Sequence, residues 1–140
     1  MNVTEKAKNL LKDNVTFAAV SDKGTYMSEK RGVAPILEKI DDDPEFLKGA
    51  SVADRVIGKA AAMLLYKYGV AEIYAQVTSE YAAAYLSDKR VNFAYDKKAA
   101  YIVNRSGTDM CPMEKAVLDI DDADEGEVRI RNKIKSMMKG

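Results

Sequence analysis

The 140-residue sequence contains no histidine and a single cysteine, Cys111. Without histidine, the protein has no imidazole that could act as a general base or as a zinc ligand. A conventional transition-metal site would have to be built almost entirely from carboxylates, so the sequence predicts no metal and no organic cofactor. One cysteine cannot form an intramolecular disulfide. This usage is typical of a reducing compartment, and we expect the protein to be cytoplasmic.

The sequence also lacks an excess of either charge and any long apolar run. Its 22 basic and 22 acidic residues give a formal net charge of zero, which leaves no surplus of cations to neutralise phosphates along an extended nucleic acid. The longest apolar runs fall far short of the roughly 20 residues that a membrane span requires, and residues 1–6 begin polar, unlike a secretion signal. We therefore expect neither extended nucleic-acid binding nor a membrane-spanning segment.

The remaining composition is that of one folded domain. Hydrophobic residues make up 47% of the chain and charged residues 31%, which excludes a disordered protein. The length suffices for one hydrophobic core. We expect a single domain over residues 1–140, with a core at residues 15–118 and a terminal helix at residues 128–139.

Periodicity and turn residues predict the order of the elements. A weak capping box at Asn2 and Glu5 opens a first helix, a β-hairpin over residues 15–28 turns at Gly24, and Pro35 starts a short helix. Further helices are predicted at residues 52–68, from Thr78 or Ser79, at 112–118 and at 128–138; strands at 71–77, 91–95 and 101–103; and a solvated acidic loop at 119–127. This order predicts an α/β fold, a three-layer α/β/α sandwich with a mixed sheet.

The segment from residue 104 to residue 114 is the strongest candidate for a site, because it carries Cys111 directly before Pro112. A thiol at a helix start faces backbone amides that favour the thiolate. The alternative is that the cysteine only packs, as free cysteine commonly does. With no histidine, the base would be Asp54, Asp109 or Glu114. The preceding residues form either an anion-binding loop or an ordinary connection from strand to helix; they are Asn104, Arg105, Ser106, Gly107 and Thr108.

Six residues elsewhere are further candidates. Asp54 is expected at the start of the helix at residues 52–68, where it is either a general base or a simple helix cap. Gly58, one turn later, would leave room above it for a ligand or another backbone. The candidate ligand-binding residues, each of which also has a structural explanation as a cap or a solvated charge, are Lys30, Arg31, Lys59 and Ser79.

Three ordered segments, at residues 28–35, 52–62 and 104–114, resemble a bacterial family known as the domain of unknown function DUF1893. The resemblance covers about residues 15–118, and it implies a cytidine-deaminase-like fold with no established activity. Zinc deaminases place a histidine or cysteine two residues before a glutamate at one helix start, and two cysteines at the next. The corresponding residues were expected at 52–55 and 77–80, and they contain no such ligands. Hydrolytic zinc deamination is therefore not expected.

These observations predict a small cytosolic protein that binds a small, nucleotide-like ligand. The expected site lies between the helix starts at Asp54 and Ser79 and the loop at residues 104–111, and any chemistry would be metal-independent and centred on Cys111. Two alternatives stay open. One is a non-catalytic ligand-binding or regulatory module, and the other is an assembly protein that forms a homodimer through its tyrosines and terminal helix.

Overall fold

The computed structural model describes residues 3–139 of the chain, and the side chains of residues 4–138. Within this range the chain forms five strands and six helices. The strands are β1 (Phe17–Ser21), β2 (Gly24–Ser28), β3 (Ser51–Ile57), β4 (Glu72–Ser79) and β5 (Asn92–Ala99). The helices are α1 (Val3–Asn9), α2 (Ala34–Asp42), α3 (Lys59–Lys67), α4 (Glu80–Asp88), α5 (Pro112–Ala116) and α6 (Ala123–Lys139). The cap predicted at Asn2 lies outside the described residues.

The sheet is mixed, as predicted, and its strand order is β2-β1-β3-β4-β5. β1 is antiparallel to both β2 and β3, whereas β3, β4 and β5 are parallel. The predicted hairpin is confirmed, with Ser21 opposite Gly24 and a φ of 134° at Gly24. Because β3 and β4 are parallel, the starts of α3 and α4 both lie at the carboxyl ends of the strands, which form one edge of the sheet. Ligands commonly bind at this edge in open α/β sheets.

Alternate residues of the central strands pack on opposite faces of the sheet. Val52 of β3 and Ile73 of β4 belong to the main core with α2, α3 and α4, whereas Ala53 and Tyr74 pack with Ala7 of α1 in a smaller cluster. Side chains alternate between the two faces of a strand, so these two clusters lie on opposite sides of the sheet. The arrangement is a sheet between helices, with a thin layer on the α1 side.

The helix predicted at residues 52–68 is wrong in its first half. Residues 51–57 form the central strand β3, and the helix begins only at Lys59, after Gly58 as its N-cap. β3 is paired on both sides, with β1 and with β4. A strand buried on both faces is apolar at nearly every position, so its sequence satisfies helical spacing as well. Asp54 consequently lies within a strand rather than at a helix start.

Other boundaries also differ from the prediction. β5 continues through Asp96, Lys97 and Lys98 to Ala99, and the strand predicted at residues 101–103 is reduced to one bridge between Val103 and Met110. The two predicted helix starts at Pro35 and Ser79 are confirmed.

The last helix begins five residues earlier than predicted, at Ala123. The Asp122 carboxylate accepts the amides of Asp124 and Glu125 at 2.8 and 3.4 Å, so it caps the new helical turn. The acidic run is therefore only partly a solvated loop.

Glu127, predicted in that loop, ties α6 to the body of the protein. Its carboxylate binds Lys67 at 2.8 Å, the Tyr68 hydroxyl at 2.6 Å and Arg131 at 2.8 Å, and Arg131 also binds Asp41 of α2 at 2.8 Å. Burial alone would raise the pKa of Glu127, but these hydrogen bonds outweigh it and lower the pKa to about 2. The network fixes α6 against α2 and α3.

Candidate functional site

The starts of α3 and α4 converge on one buried carboxylate, that of Glu114. Its Oε2 accepts the Lys59 amide at 2.7 Å and the Ser79 hydroxyl at 2.6 Å, while its Oε1 accepts the Ile102 amide at 2.8 Å. Glu114 is 1% exposed and Ser79 is fully buried. The place at which a ligand was expected, beside Ser79, is therefore filled by a side chain of the same protein.

Gly58 makes this approach of Glu114 sterically allowed. A Cβ at this position would lie 2.9 Å from Oε2 of Glu114 and 3.1 Å from Cγ1 of Ile102. The room above Gly58 that the sequence suggested therefore exists, and a carboxylate occupies it. In the sequence, the only sign of this close approach is a glycine followed by Lys59 and several alanines. Nothing in the sequence identifies Glu114 as the group that approaches.

Both the backbone and the side chain of Lys59 bind the part of the chain that contains α5. The residue is 6% exposed. Its ammonium group binds the carbonyl oxygen of Leu118 at 3.1 Å and the Asp121 carboxylate at 3.5 Å. Lys59 thus holds α5 through its amide and the segment after α5 through its side chain. Of the predicted ligand-binding residues, Lys59 and Ser79 are the two that hydrogen-bond to Glu114.

Ser79 has two roles at the start of α4. Its hydroxyl oxygen accepts the Ala82 amide at 3.0 Å, which is the predicted N-cap interaction, and its hydroxyl group donates to Glu114. Serine suits both roles because a hydroxyl both donates and accepts. The neighbouring Thr78 hydroxyl donates to the Ile57 carbonyl at 2.9 Å, which links the ends of β3 and β4.

Cys111 is half-buried and forms the N-cap of the five-residue α5. Its amide donates to the Ile102 carbonyl at 2.7 Å, and its carbonyl accepts the Lys115 amide at 3.0 Å. No side-chain hydrogen bond to the Cys111 sulfur is found among residues 4–138. The helix start predicted at Pro112 is confirmed, and a catalytic role for this thiol stays a prediction.

The loop before Cys111 is ordered by its own polar side chains. Asn104 Oδ1 accepts the amides of Thr108 and Asp109 at 3.0 and 3.4 Å and the Ser106 hydroxyl at 3.1 Å. Gly107 has a φ of 71°, which explains the glycine at that turn. Two amides that an anion would need are thus directed at Asn104, and Arg105 is exposed. The anion-binding role predicted for residues 104–108 stays a prediction.

Asp54 is buried in β3, next to Phe17 of β1 and Ala75 of β4. Its Oδ1 accepts the Val56 amide at a long 3.4 Å, and its Oδ2 has no partner among the described residues. Burial raises the pKa of Asp54 well above its ordinary value, because water no longer solvates the charged form. No hydrogen bond among the described residues joins Asp54 to Cys111, so their combined action also stays a prediction.

The two basic candidates after the hairpin lie on the surface. Lys30 pairs with Glu38 at 2.8 Å, and both side chains are mostly exposed. Arg31 is exposed as well. Such an ion pair is worth little, and neither residue contributes to the Glu114 cluster.

A groove of about 580 Å³ lies between α4 and the edge strand β5. On the strand side, the rings of Phe93 and Tyr95 lie 5.4 Å apart with a 44° tilt. The helix contributes one face at positions i, i+3, i+4 and i+7, with alanines in the middle. The lining residues are Glu80, Ala83, Ala84, Ser87, Val91, Phe93, Tyr95 and Lys98. Sequence reasoning missed this groove, because which residues of β5 face α4 depends on the sheet order.

A second cavity, of about 400 Å³, lies at the opposite ends of the parallel strands and includes Asp22, Ser51 and Glu72 in its lining. Among the described residues, no group of three or more histidine, cysteine, aspartate or glutamate side chains is arranged to hold a metal ion. Within residues 3–139, none of the helices has the length and hydrophobicity that crossing a membrane requires.

The comparisons with known proteins agree with one another. A family model described as a domain of unknown function, DUF1893, matches residues 5–134. The crystal structure of a DUF1893 family protein from Thermotoga maritima has a TM-score of 0.83 and 31% identity, over 96% of this chain and 90% of that chain. No curated protein matches the sequence. This chain belongs to the DUF1893 family.

Proposed function

We propose that this protein binds a small ligand with a planar aromatic group and a negative charge, as in a nucleotide, in the groove between α4 and β5. The observation that carries the proposal is the pair of neighbouring rings, Phe93 and Tyr95, opposite a helix face that is smooth at Ala83 and Ala84. Tyr95 is 40% exposed. An exposed ring on a strand is suited to stacking with a base, and the half-buried Phe93 supports it from the side. The volume of the groove is within the range of small-molecule sites.

The polar groups at the two ends of the groove set the orientation of the bound ligand. Lys98 is exposed near the carboxyl end of β5, and Ser87 lies toward the other end, near Val91. We place the anionic group of the ligand at Lys98, and a hydrogen-bonding edge of its ring near Ser87. Glu80 lies close to the Lys98 end and disfavours ligands with a high negative charge there. A nucleoside monophosphate meets these conditions better than a triphosphate.

Binding is favoured over catalysis because the helix starts offer no free reactive group. Glu114 and Ser79 are hydrogen-bonded to each other and buried, and the Lys59 ammonium binds Leu118 and Asp121. None of the side chains of residues 4–138 forms a hydrogen bond with Cys111 that would make it a base for the thiol. A thiol nucleophile needs such a base or a lowered pKa. We therefore propose a non-catalytic cytoplasmic binding module, with Cys111 chemistry as a prediction that thiol labelling would test.

We also propose that the fold is cytidine-deaminase-like but lacks the zinc centre of deaminases. With the helices beginning at residues 59 and 80, the segments that correspond to the zinc signatures are residues 57–60 and 78–81. They contain neither histidine nor cysteine. A carboxylate from Glu114 links these two helix starts.

Isothermal titration with nucleosides and nucleoside monophosphates would test the binding proposal. Tyr95→Ala should weaken binding about 10- to 100-fold, because stacking on one ring is worth about 1–3 kcal/mol. The matched control is Tyr101→Ala, since Tyr101 is 41% exposed and does not line the groove. Lys98→Ala should weaken the binding of monophosphates but not that of nucleosides.

Equal losses for Tyr95→Ala and Tyr101→Ala would place the ligand elsewhere. The proposal is contradicted if the folded protein binds no aromatic anion. In that case, size-exclusion chromatography would test the predicted alternative of a homodimer.

A further inference from the structure

Most of the hydrogen-bond donors to the Glu114 carboxylate lie outside the segment of chain that carries Glu114. Two of its three hydrogen bonds come from the helix starts, from the Lys59 amide and the Ser79 hydroxyl. The third comes from Ile102, which lies on the same segment as Glu114. We call residues 102–121 the strap. If the strap lifted, the two donors of the helix starts would remain in place.

The strap is held at its far end by the same lysine. The Lys59 ammonium binds the Leu118 carbonyl and the Asp121 carboxylate, and both groups belong to the strap. Lifting the strap would therefore also release the Lys59 ammonium from both of these partners. The helix starts would then present an amide and a hydroxyl that are directed at one point, and these two donors can bind one oxygen of a small oxyanion.

The space between these donors accommodates one carboxylate oxygen. Both donors reach the same oxygen, at 2.7 and 2.6 Å, and Gly58 lacks the Cβ that would lie 2.9 Å from it. The Ser79 hydroxyl is fully buried, so its donor has no water to replace Glu114 while the strap is closed. Such a buried donor needs an acceptor whether or not Glu114 provides it.

We propose that the starts of α3 and α4 form a carboxylate-binding site that Glu114 occupies from within the chain, so that a small external monocarboxylate binds there once Glu114 is removed or lifted. This inference is independent of the groove between α4 and β5. In the wild-type protein Glu114 competes as a tethered ligand, whose effective concentration is on the order of millimolar or more. External carboxylates should therefore bind weakly to the wild type.

The test uses Glu114→Ala, with formate and acetate as probes and chloride at equal ionic strength as the reference. Formate or acetate should raise the melting temperature of Glu114→Ala with saturation, because a ligand held only by the folded state stabilises it. In nuclear magnetic resonance spectra, the Lys59 amide should shift with the same affinity. The double variant Glu114→Ala with Ser79→Ala should lose about tenfold or more in affinity.

The control is Glu125→Ala, which removes an exposed glutamate of α6 that pairs only at the surface with Arg129. It retains Glu114 and should respond to acetate no more than the wild type does. If Glu114→Ala fails to fold in chloride, formate should restore its native circular dichroism on refolding. A Glu114→Ala protein that responds identically to formate, acetate and chloride, or an unfolded one that formate does not rescue, would overturn the proposal.

Discussion

Gly58→Ala provides a quantitative test of the Glu114 cluster. The added Cβ would lie 2.9 Å from Oε2 of Glu114 and 3.1 Å from Cγ1 of Ile102. Gly58 has a φ of −95° and a ψ of −179°, which is extended backbone that alanine adopts without strain. Alanine is a poorer N-cap than glycine by about 1 kcal/mol or less, so a larger loss of stability must come from moving the Glu114 carboxylate or the Ile102 side chain.

The expected loss follows from the hydrogen bonds that converge on Oε2. Moving this oxygen breaks or lengthens the bonds from the Lys59 amide and the Ser79 hydroxyl. Each buried donor left without an acceptor costs about 1–3 kcal/mol. The lower entropy of alanine in the unfolded chain offsets about 0.4–1 kcal/mol. We expect a net decrease of about 1–3 kcal/mol in the free energy of unfolding, since the carboxylate can shift without losing both bonds completely.

Urea denaturation at neutral pH measures this loss, and a double-mutant cycle with Glu114→Ala assigns it. In the Glu114→Ala background the conflict with the carboxylate is removed, whereas the 3.1 Å approach to Ile102 and the preference for glycine over alanine at the N-cap remain. Gly58→Ala should therefore cost clearly less in this background than in the wild type. The control is Gly126→Ala, whose Cβ would meet the flexible end of Met63 at 2.7 Å. Alanine is favoured over glycine within α6 by about 0.8–1 kcal/mol. If Gly58→Ala is as stable as the wild type, or if its effect is the same with and without Glu114, the reasoning is refuted.

Three further predictions concern Asp54, Glu127 and Ser79. The pKa of Asp54 is raised in the folded protein. Its contribution to stability is therefore full below the unfolded pKa, near 3.8, and is lost as the pH rises through the folded pKa. Asp54→Asn should flatten this decline in urea titrations at increasing pH. The pKa of Glu127, lowered from 4.5 to about 2, gives a contribution that is present above pH 4.5 and is lost as the pH falls toward 2. Solvent screening limits it to about 1–2 kcal/mol, and Glu127→Gln should abolish this acid sensitivity in thermal melts. Ser79→Ala should cost more than Asp122→Ala, because Asp122 only caps its helix at about 1 kcal/mol, whereas Ser79 also donates to Glu114.

The elements that sequence reasoning identified correctly are those with a local start signal. Pro35 and Ser79 mark the first turns of α2 and α4, and Gly24 marks the hairpin, because each residue type satisfies a requirement of its own turn. Residues 52–57 carry no such signal. Four of these six residues, 52–54 and 57, are buried in the central strand, and three consecutive buried residues remove the alternation that distinguishes a half-exposed strand from a helix.

The site required information that no local pattern contains. Glu114 lies 55 residues from Lys59 and 35 residues from Ser79, so its role depends on how α5 returns to the sheet edge. In the sequence, the position of Glu114 suggests only a base for Cys111. The room above Gly58 was nevertheless predictable, since a glycine beside a helix start allows another group to approach the backbone.

The two buried carboxylates differ in their hydrogen bonds, and this difference bears on where a ligand can bind. Glu114 accepts three hydrogen bonds of 2.6–2.8 Å, so a ligand that replaces it must satisfy the same donors. Asp54 accepts one bond of 3.4 Å, and burial raises its pKa, but it lies inside the sheet between β1 and β4. Both groups are more than nine-tenths buried, so neither can meet a ligand without movement of the backbone around it. Tyr95 and Lys98 in the groove meet solvent directly, and for this reason a ligand that binds to the closed protein should contact them first.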